Sequence, residues 1–205
     1  MVSLSYTDPV KNHWGLLYEG LRYSGNSFIY ANDLNGDGNA YDLMYIPTDD
    51  EMGLAGSTAG YRFATQEDLD KYKEFLAQDA YLSSHRGKYA EAYAVCQPLR
   101  HVFDFRFAHD FTIKMQNGTK HTLQLSMDMK NIGNLFNSRW GVAKVWNPDV
   151  PNSDGNAKIL KYASLDPDGT PVFTTAVDSG VSTWDYSHTW ANCWYMQLGL
   201  RYMFN

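Results

Sequence analysis

No run of about 18 apolar residues occurs in the sequence, which excludes a transmembrane helix. The opening MVSLSYTDPV lacks a basic stretch followed by an apolar one, so no signal peptide is expected there. Positive charge is scarce. Seventeen Lys and Arg face 23 Asp and Glu, and the net charge of -6 argues against nucleic acid as a partner. No G-x-S-x-G, H-E-x-x-H, P-loop or Cys-x-x-Cys pattern appears, so no catalytic residue is assigned and no enzyme is expected. Low-complexity tracts and solenoid repeats are also missing.

What is present is aromatic: 15 Tyr, 10 Phe and 6 Trp in 205 residues. With 44% hydrophobic and 20% charged residues the chain is no disordered polymer. A chain polar on average yet rich in rings still permits a transmembrane β-barrel, whose strands hide an apolar half by alternation.

That alternation is written most clearly from His101 to Met115. Phe103, Phe105, Phe107, Phe111, Ile113 and Met115 share one parity, with His109 the polar interruption; Asp104, Arg106, Ala108, Asp110, Thr112 and Lys114 share the other. Period two means a strand. Asn117-Gly118 then signals a hairpin. Leu123, Leu125, Met127 and Met129 next alternate with Thr122, Gln124, Ser126, Asp128 and Lys130. Trp194 to Phe204 repeats the pattern, as do Val2 to Tyr6 and Trp14 to Tyr18 more weakly. About five long strands follow.

Their connections are unequal. Asp8 to Lys11 and Gln116 to Lys120 are tight; about 23–98 and about 134–189 are very long. Tight and long alternate in order, so all tight turns belong on one side and all long loops on the other. Outer-membrane barrels segregate short periplasmic turns from long extracellular loops in this way. The first loop carries short strands at Ser27 to Tyr30 and Tyr41 to Ile46, then a helix opened by Thr65 and Asp68, with an apolar stripe at Leu69, Tyr72, Phe75 and Leu76 expected to pack on its own loop. The second is punctuated at Asn147-Pro148, Asp154-Gly155 and Asp168-Gly169.

Several stretches resemble a known family. DLNGDGNAYDLMYIP (Asp33 to Pro47), FDFRFAHDF (Phe103 to Phe111), LQLSMDMKNIGNLFNSRWG (Leu123 to Gly141) and LGLRYMF (Leu198 to Phe204) resemble the C-terminal barrel segment of TonB-dependent outer-membrane receptors of the Oar-like group, which carries a carboxypeptidase-regulatory-like domain. The resemblance implies a barrel of about 22 strands with an N-terminal plug. At about 10 residues per strand that needs about 220 residues before any loop. The expectation is therefore all-β: residues 1–205 form the C-terminal part of a partial antiparallel transmembrane barrel with two long extracellular loops, one containing a short helix. The resemblance also implies a role in nutrient uptake across the outer membrane of a Gram-negative bacterium. Its partners would be outer-membrane lipid, the remaining barrel and plug, and TonB only through N-terminal parts not seen here. A Phe204-Asn205 end departs from the family's terminal aromatic.

Two other readings stay open. One is a complete small barrel of structural or adhesive role, which needs three more spanning strands from the long loops. The other is a secreted β-rich binding module, whose core would be Phe103-Phe105-Phe107 against Leu123-Leu125-Met127.

In the barrel reading Phe105, Phe107, Leu125, Leu198 and Leu200 face lipid, and Arg106, Gln124, Asp128 and Arg201 face inward. Asp104, Arg106, Asp110, Asp128 and Lys130 are then a hydrated wall of paired charges rather than a catalytic pocket. Glu19, Arg106 and Arg201 stand where a substrate would pass, but the substrate and its binding residues are not legible. Trp190 and Trp194 suit an interfacial girdle; Trp184 and Tyr186 suit either a girdle or a stacking surface. Cys96 and Cys193 fall on the outer, oxidising side. An intervening strand would hold strand-bound positions about 10 Å apart, beyond the ~7 Å reach of a disulfide, so a bridge requires Cys96 to reach over from its loop, and free thiols are the alternative.

A calcium loop is the one cofactor expectation. Asp33, Asn35, Asp37 and Asp42 offer side-chain oxygens, the Asn39 carbonyl a fifth, and Gly38 the sharp turn. The departure is Met44 at the twelfth place, where a bidentate Glu is usual. Asn, Asp and Gly in this order also simply build tight turns.

Overall fold

The computed structural model describes every residue except Ser24, Asp154 and Asn205. Asp154 of the expected Asp154-Gly155 turn and the terminal Asn205 thus lie outside the described residues. The chain divides into two compact units, one of residues 1–22, 98–144 and 186–205, the other of residues 23–97 and 145–185.

The first unit is an antiparallel sheet of five strands: β1 (Val2–Thr7), β2 (Asn12–Leu21), β3 (Arg100–Lys114), β4 (Lys120–Lys130) and β5 (Tyr195–Phe204), in the order of their numbers. These are the five long strands the alternation predicts. The turn between β1 and β2 closes on Asp8, whose Oδ1 accepts from the N–H groups of Val10 (3.0 Å) and Asn12 (2.8 Å). Lys11 takes φ 64° there. The next hairpin turns on Gly118 at φ 89°, a left-handed position that favours glycine.

Register decides what each face of this sheet is. Leu4, Leu16, Phe105, Met129 and Met196 stand opposite one another across all five strands. So do Tyr6, Trp14, Phe107, Met127 and Leu198. Facing residues in an antiparallel pair point to the same side, so each row is an unbroken apolar stripe. One residue away the rows are polar: Ser5, Gly15, Arg106, Asp128 and Gln197 form one of them. A slip of one residue in any pair would interleave the two chemistries.

Both hairpin turns and the end of β5 lie at the same end of the sheet, as the pairs Thr7–His13, Lys114–Lys120 and Phe204–His121 show. The long excursions leave and re-enter at the opposite end, beside Leu21–Arg100 and Lys130–Tyr195. That end is organised by Asn131, buried and left-handed at φ 51°. Its Nδ2 donates to the carbonyls of Asn192 (2.8 Å) and Gly141 (3.1 Å), while its N–H donates to Asp104 Oδ1 (2.9 Å). A Cβ on Gly141 would come within 1.8 Å of Asn131 Oδ1, so only glycine fits there. Between them a short helix, Ile132–Phe136, interrupts the stretch expected as loop.

Most of the two stretches expected as extracellular loops, residues 23–97 and 145–185, folds together as the second unit, while 134–144 and 186–189 of the second stretch belong to the first unit. The main sheet of the second unit has six strands and mixed direction. Asn156–Leu165 pairs antiparallel with Pro171–Thr175 and parallel with Phe28–Tyr30. Tyr61–Phe63 runs parallel to both Pro171–Thr175 and Met52–Leu54. Helix α1 (Gln66–Gln78) starts at Thr65, whose Oγ1 accepts from the Asp68 N–H at 3.1 Å. Asp68 in turn accepts the Thr175 N–H at 2.9 Å, which ties the helix start to the sheet. The expected stripe Leu69, Tyr72, Phe75 and Leu76 is buried, packed with Phe28, Phe63, Ile159 and Phe173 in one core. That core draws on both long stretches, so neither is a loop with structure of its own.

One ion cluster holds the edge of this unit. Arg62 is 5% exposed and donates to Asp166 Oδ2 (2.6 Å), Asp168 Oδ1 (2.9 Å) and Asp168 Oδ2 (2.7 Å). The guanidinium pulls the Asp168 carboxyl down to about 2. Its stabilisation is therefore present above the ordinary Asp range and lost as pH falls toward that value.

Candidate functional site

The five-stranded sheet presents two candidate surfaces. On its polar face the strands are joined by side chains. Arg106 Nη1 lies 3.3 Å from Asp128 Oδ1, and Lys130 Nζ lies 2.6 Å from Asp104 Oδ2. His13 Nε2 lies 3.0 Å from Asp110 Oδ2, while Gln124 Nε2 donates to Asp110 Oδ1 at 2.7 Å. Thr112 and Thr122 share a hydrogen bond at 3.0 Å. These are cross-strand pairs of opposite or complementary character, the unit of sheet stabilisation on a hydrated face. Of the charges expected to pair, Arg106 with Asp128 and Lys130 with Asp104 do so across neighbouring strands, while Asp110 is held by His13 and Gln124 instead. Of the positions expected to line a lumen, Arg201 stands opposite Gln124 and Glu19 opposite Val102. The His13–Asp110 contact was missed by sequence reasoning, because 97 residues separate its partners.

The other face is apolar and uncovered. Leu198 is 71% exposed and Leu200 69%, and Val2, Leu4, Tyr6, Leu16, Ile113 and Leu125 are also exposed. A soluble module would bury this face as its core. From Phe103 to Ile113 the apolar side chains run about 34 Å along β3. Tilted by about 40°, that band is about 26 Å tall, close to the ~25 Å lipid-facing band of a transmembrane barrel. The sheet is open, with β1 and β5 as its edges.

Trp190, expected at a girdle, is 85% exposed, and Trp194 is exposed too. Trp184 stacks on Trp146 with centroids 4.4 Å apart. Tyr186 meets cations instead, with Lys144 Nζ 4.9 Å and Arg139 Cζ 5.9 Å from its ring centre. Cys96 and Cys193 are both free thiols.

The Asp33–Asp42 segment forms an exposed turn held by its own polar groups. Asp33 accepts from the N–H groups of Gly36 (2.7 Å) and Gly38 (2.8 Å), which lowers its carboxyl from the ordinary value. Asn35 Oδ1 accepts from the Asp37 N–H, and Asp37 Oδ1 from the Asn39 N–H, both at 2.8 Å. Asp42 accepts from the Leu34 N–H and from Asn35 Nδ2, both at 2.7 Å. Among the described residues no group of three or more His, Cys, Asp or Glu side chains is arranged to hold a metal. Calcium at Asp33, Asn35, Asp37, Asp42 and the Asn39 carbonyl is accordingly an expectation for titration calorimetry. Heat of binding should appear at up to millimolar Ca²⁺ and vanish in Asp37→Ala. Binding that ignores the substitution, or none at all, leaves the segment a turn.

No protein-family model, curated protein or solved structure matches this chain.

Proposed function

We propose that the five-stranded sheet is a section of wall from an outer-membrane β-barrel of the TonB-dependent receptor kind, serving nutrient uptake in a Gram-negative bacterium. One observation carries the membrane part of this reading. Two apolar rows run unbroken across all five strands on an uncovered face, while the reverse face is polar and charge-paired. In water such a face is a large exposed patch of the kind that marks an interaction site or an aggregation hazard. In lipid it is the required surface, and the paired charges line the hydrated side.

The segregation of turns supports the same reading. Tight hairpins lie at one sheet end and long excursions at the other, as in barrels with short periplasmic turns. The open edges support incompleteness. Unpaired N–H and C=O groups on β1 and β5 are costly in hydrocarbon, so strands of a larger barrel would pair with them. The receptor and transport part rests on the sequence resemblance of Asp33 to Pro47, Leu123 to Gly141 and Leu198 to Phe204. In this role the chain is a passive wall without catalysis, and TonB acts on other parts of the receptor.

The test is labelling at single cysteines placed in a chain whose Cys96 and Cys193 are replaced by serine. Probes at Leu198→Cys and Leu200→Cys should report lipid in reconstituted vesicles, and probes at Gln197→Cys and Arg201→Cys should report water. Reversed phases, or a chain that stays a compact monomer without detergent, would end the membrane reading.

A further inference from the structure

A cavity of about 750 Å³ opens within the second unit. It falls in the size range of small-molecule sites. The Asp33–Asp42 turn supplies part of its wall through Leu34, Asn35, Tyr41 and Asp42. Aromatic rings supply most of the rest, beside Leu43, Gly60, Pro171 and Glu51. Phe173 is stacked by Tyr61 (4.8 Å) and Tyr30 (5.4 Å), and Tyr45 meets Tyr89 edge-on at 5.2 Å. Tyr89 is 66% exposed, so its ring is open to a ligand.

The polar groups in the wall ask for two opposite things. Glu51 accepts from the Thr48 N–H (2.8 Å) and the Tyr45 hydroxyl (3.0 Å), contacts that hold its carboxyl below the ordinary value. It is ionised at neutral pH, and with Asp42 it offers lone pairs to donors. The buried Tyr30 and Tyr61 hydroxyls do the reverse. Tyr30 accepts from Tyr61 (3.0 Å) and from the Tyr45 N–H (3.1 Å). The pair thus owns two phenol hydrogens and makes one bond with them, which leaves one donor without an acceptor among the described contacts. Burial raises both phenols above their ordinary value, so they keep those hydrogens.

We infer that this cavity binds a neutral saccharide. Sugar hydroxyls donate to Glu51 and Asp42 and accept from the phenol pair with the same group type, and the C–H face of a pyranose lies against the Tyr89 ring. An anion would face two carboxylates. A cation would find rings and carboxylates but nothing to take the phenol hydrogen, and Lys158 Nζ already stands 6.0 Å from the Tyr41 ring centre. The cavity lies wholly in the second unit, so the inference does not rest on the membrane reading.

The test is titration calorimetry on the intact chain with maltotriose, cellotriose and chitotriose, and with tetramethylammonium as the cationic probe. Any detergent present should carry neither a sugar nor a quaternary ammonium head. At least one trisaccharide should bind at submillimolar concentration. Tyr89→Ala should weaken it about tenfold, the size of a lost ring contact, while Tyr89→Phe keeps the ring and the affinity. Tyr93→Ala, an exposed ring outside the cavity, should change nothing. Tyr89 is surface-exposed, and equal thermal unfolding of wild type and variant would confirm that folding is intact. No trisaccharide binding at millimolar concentration, binding indifferent to Tyr89→Ala, or binding of tetramethylammonium alone would overturn the proposal. Saccharide binding in a chain that ignores lipid would leave it standing while the membrane reading fell.

Discussion

Replacing Leu198 with arginine is expected to cost about 2–4 kcal/mol in a lipid bilayer, and the same change one residue away almost nothing. The contrast comes from its position. Leu198 belongs to the row Tyr6, Trp14, Phe107, Met127 and Leu198, near the middle of the apolar band. Its side chain is already exposed, so in aqueous buffer the guanidinium leaves no cavity and loses no hydration. In hydrocarbon it must shed water or drag water in. Gln197→Arg, one residue away on the polar face, is the control and should be near neutral in lipid. Denaturant-induced unfolding of both variants from lipid vesicles reads the two costs. Equal costs for the two positions in lipid would remove the argument from register.

Phe63→Ala is expected to destabilise the second unit by about 3–5 kcal/mol, the usual cost of deleting a buried phenyl ring. Phe63 is fully buried, with the rings of Tyr72 and Tyr61 centred 5.1 and 5.8 Å away. Relaxation into the space is limited because its strand is paired on both sides, to Pro171–Thr175 and to Met52–Leu54. Most domains have only about 5–15 kcal/mol to lose. The variant should therefore show an early loss of near-UV circular dichroism and earlier proteolysis within residues 23–97 and 145–185. A change below about 1 kcal/mol would mean that this core does not hold the unit together.

The two substitutions probe parts of the chain that were unequally legible. Alternation of apolar and polar residues is a local property, so the strands around Phe103 to Ile113 and Leu123 to Met129 could be read directly, as could α1 from Thr65 and its apolar stripe. Cross-strand partners are not local, yet alternation constrains them: once Phe107 and Met127 must share a face, few registers remain. The second unit had no such constraint. Phe28–Tyr30, inside the strand expected at Ser27 to Tyr30, and Tyr61–Phe63 are three-residue strands buried on every residue, and they show no period from which a partner could be read. Their partners Asn156–Leu165 and Pro171–Thr175 lie about a hundred residues away or more, and the pairing is parallel.

Local order along the chain settles the chemistry of the first sheet's faces, the position of its tight turns and the polar loop at Asp33 to Asp42. Side-chain period and turn residues act over a few neighbours, and a few neighbours suffice to write them. Folding in three dimensions joins the long stretches in one core and makes Asn131 require glycine at position 141. The same folding assembles Tyr30, Tyr45, Tyr61, Tyr89 and Phe173 around one cavity. Each of these depends on groups far apart in the chain meeting in space, where burial of large apolar surfaces and the loss of water from polar groups outweigh any local preference.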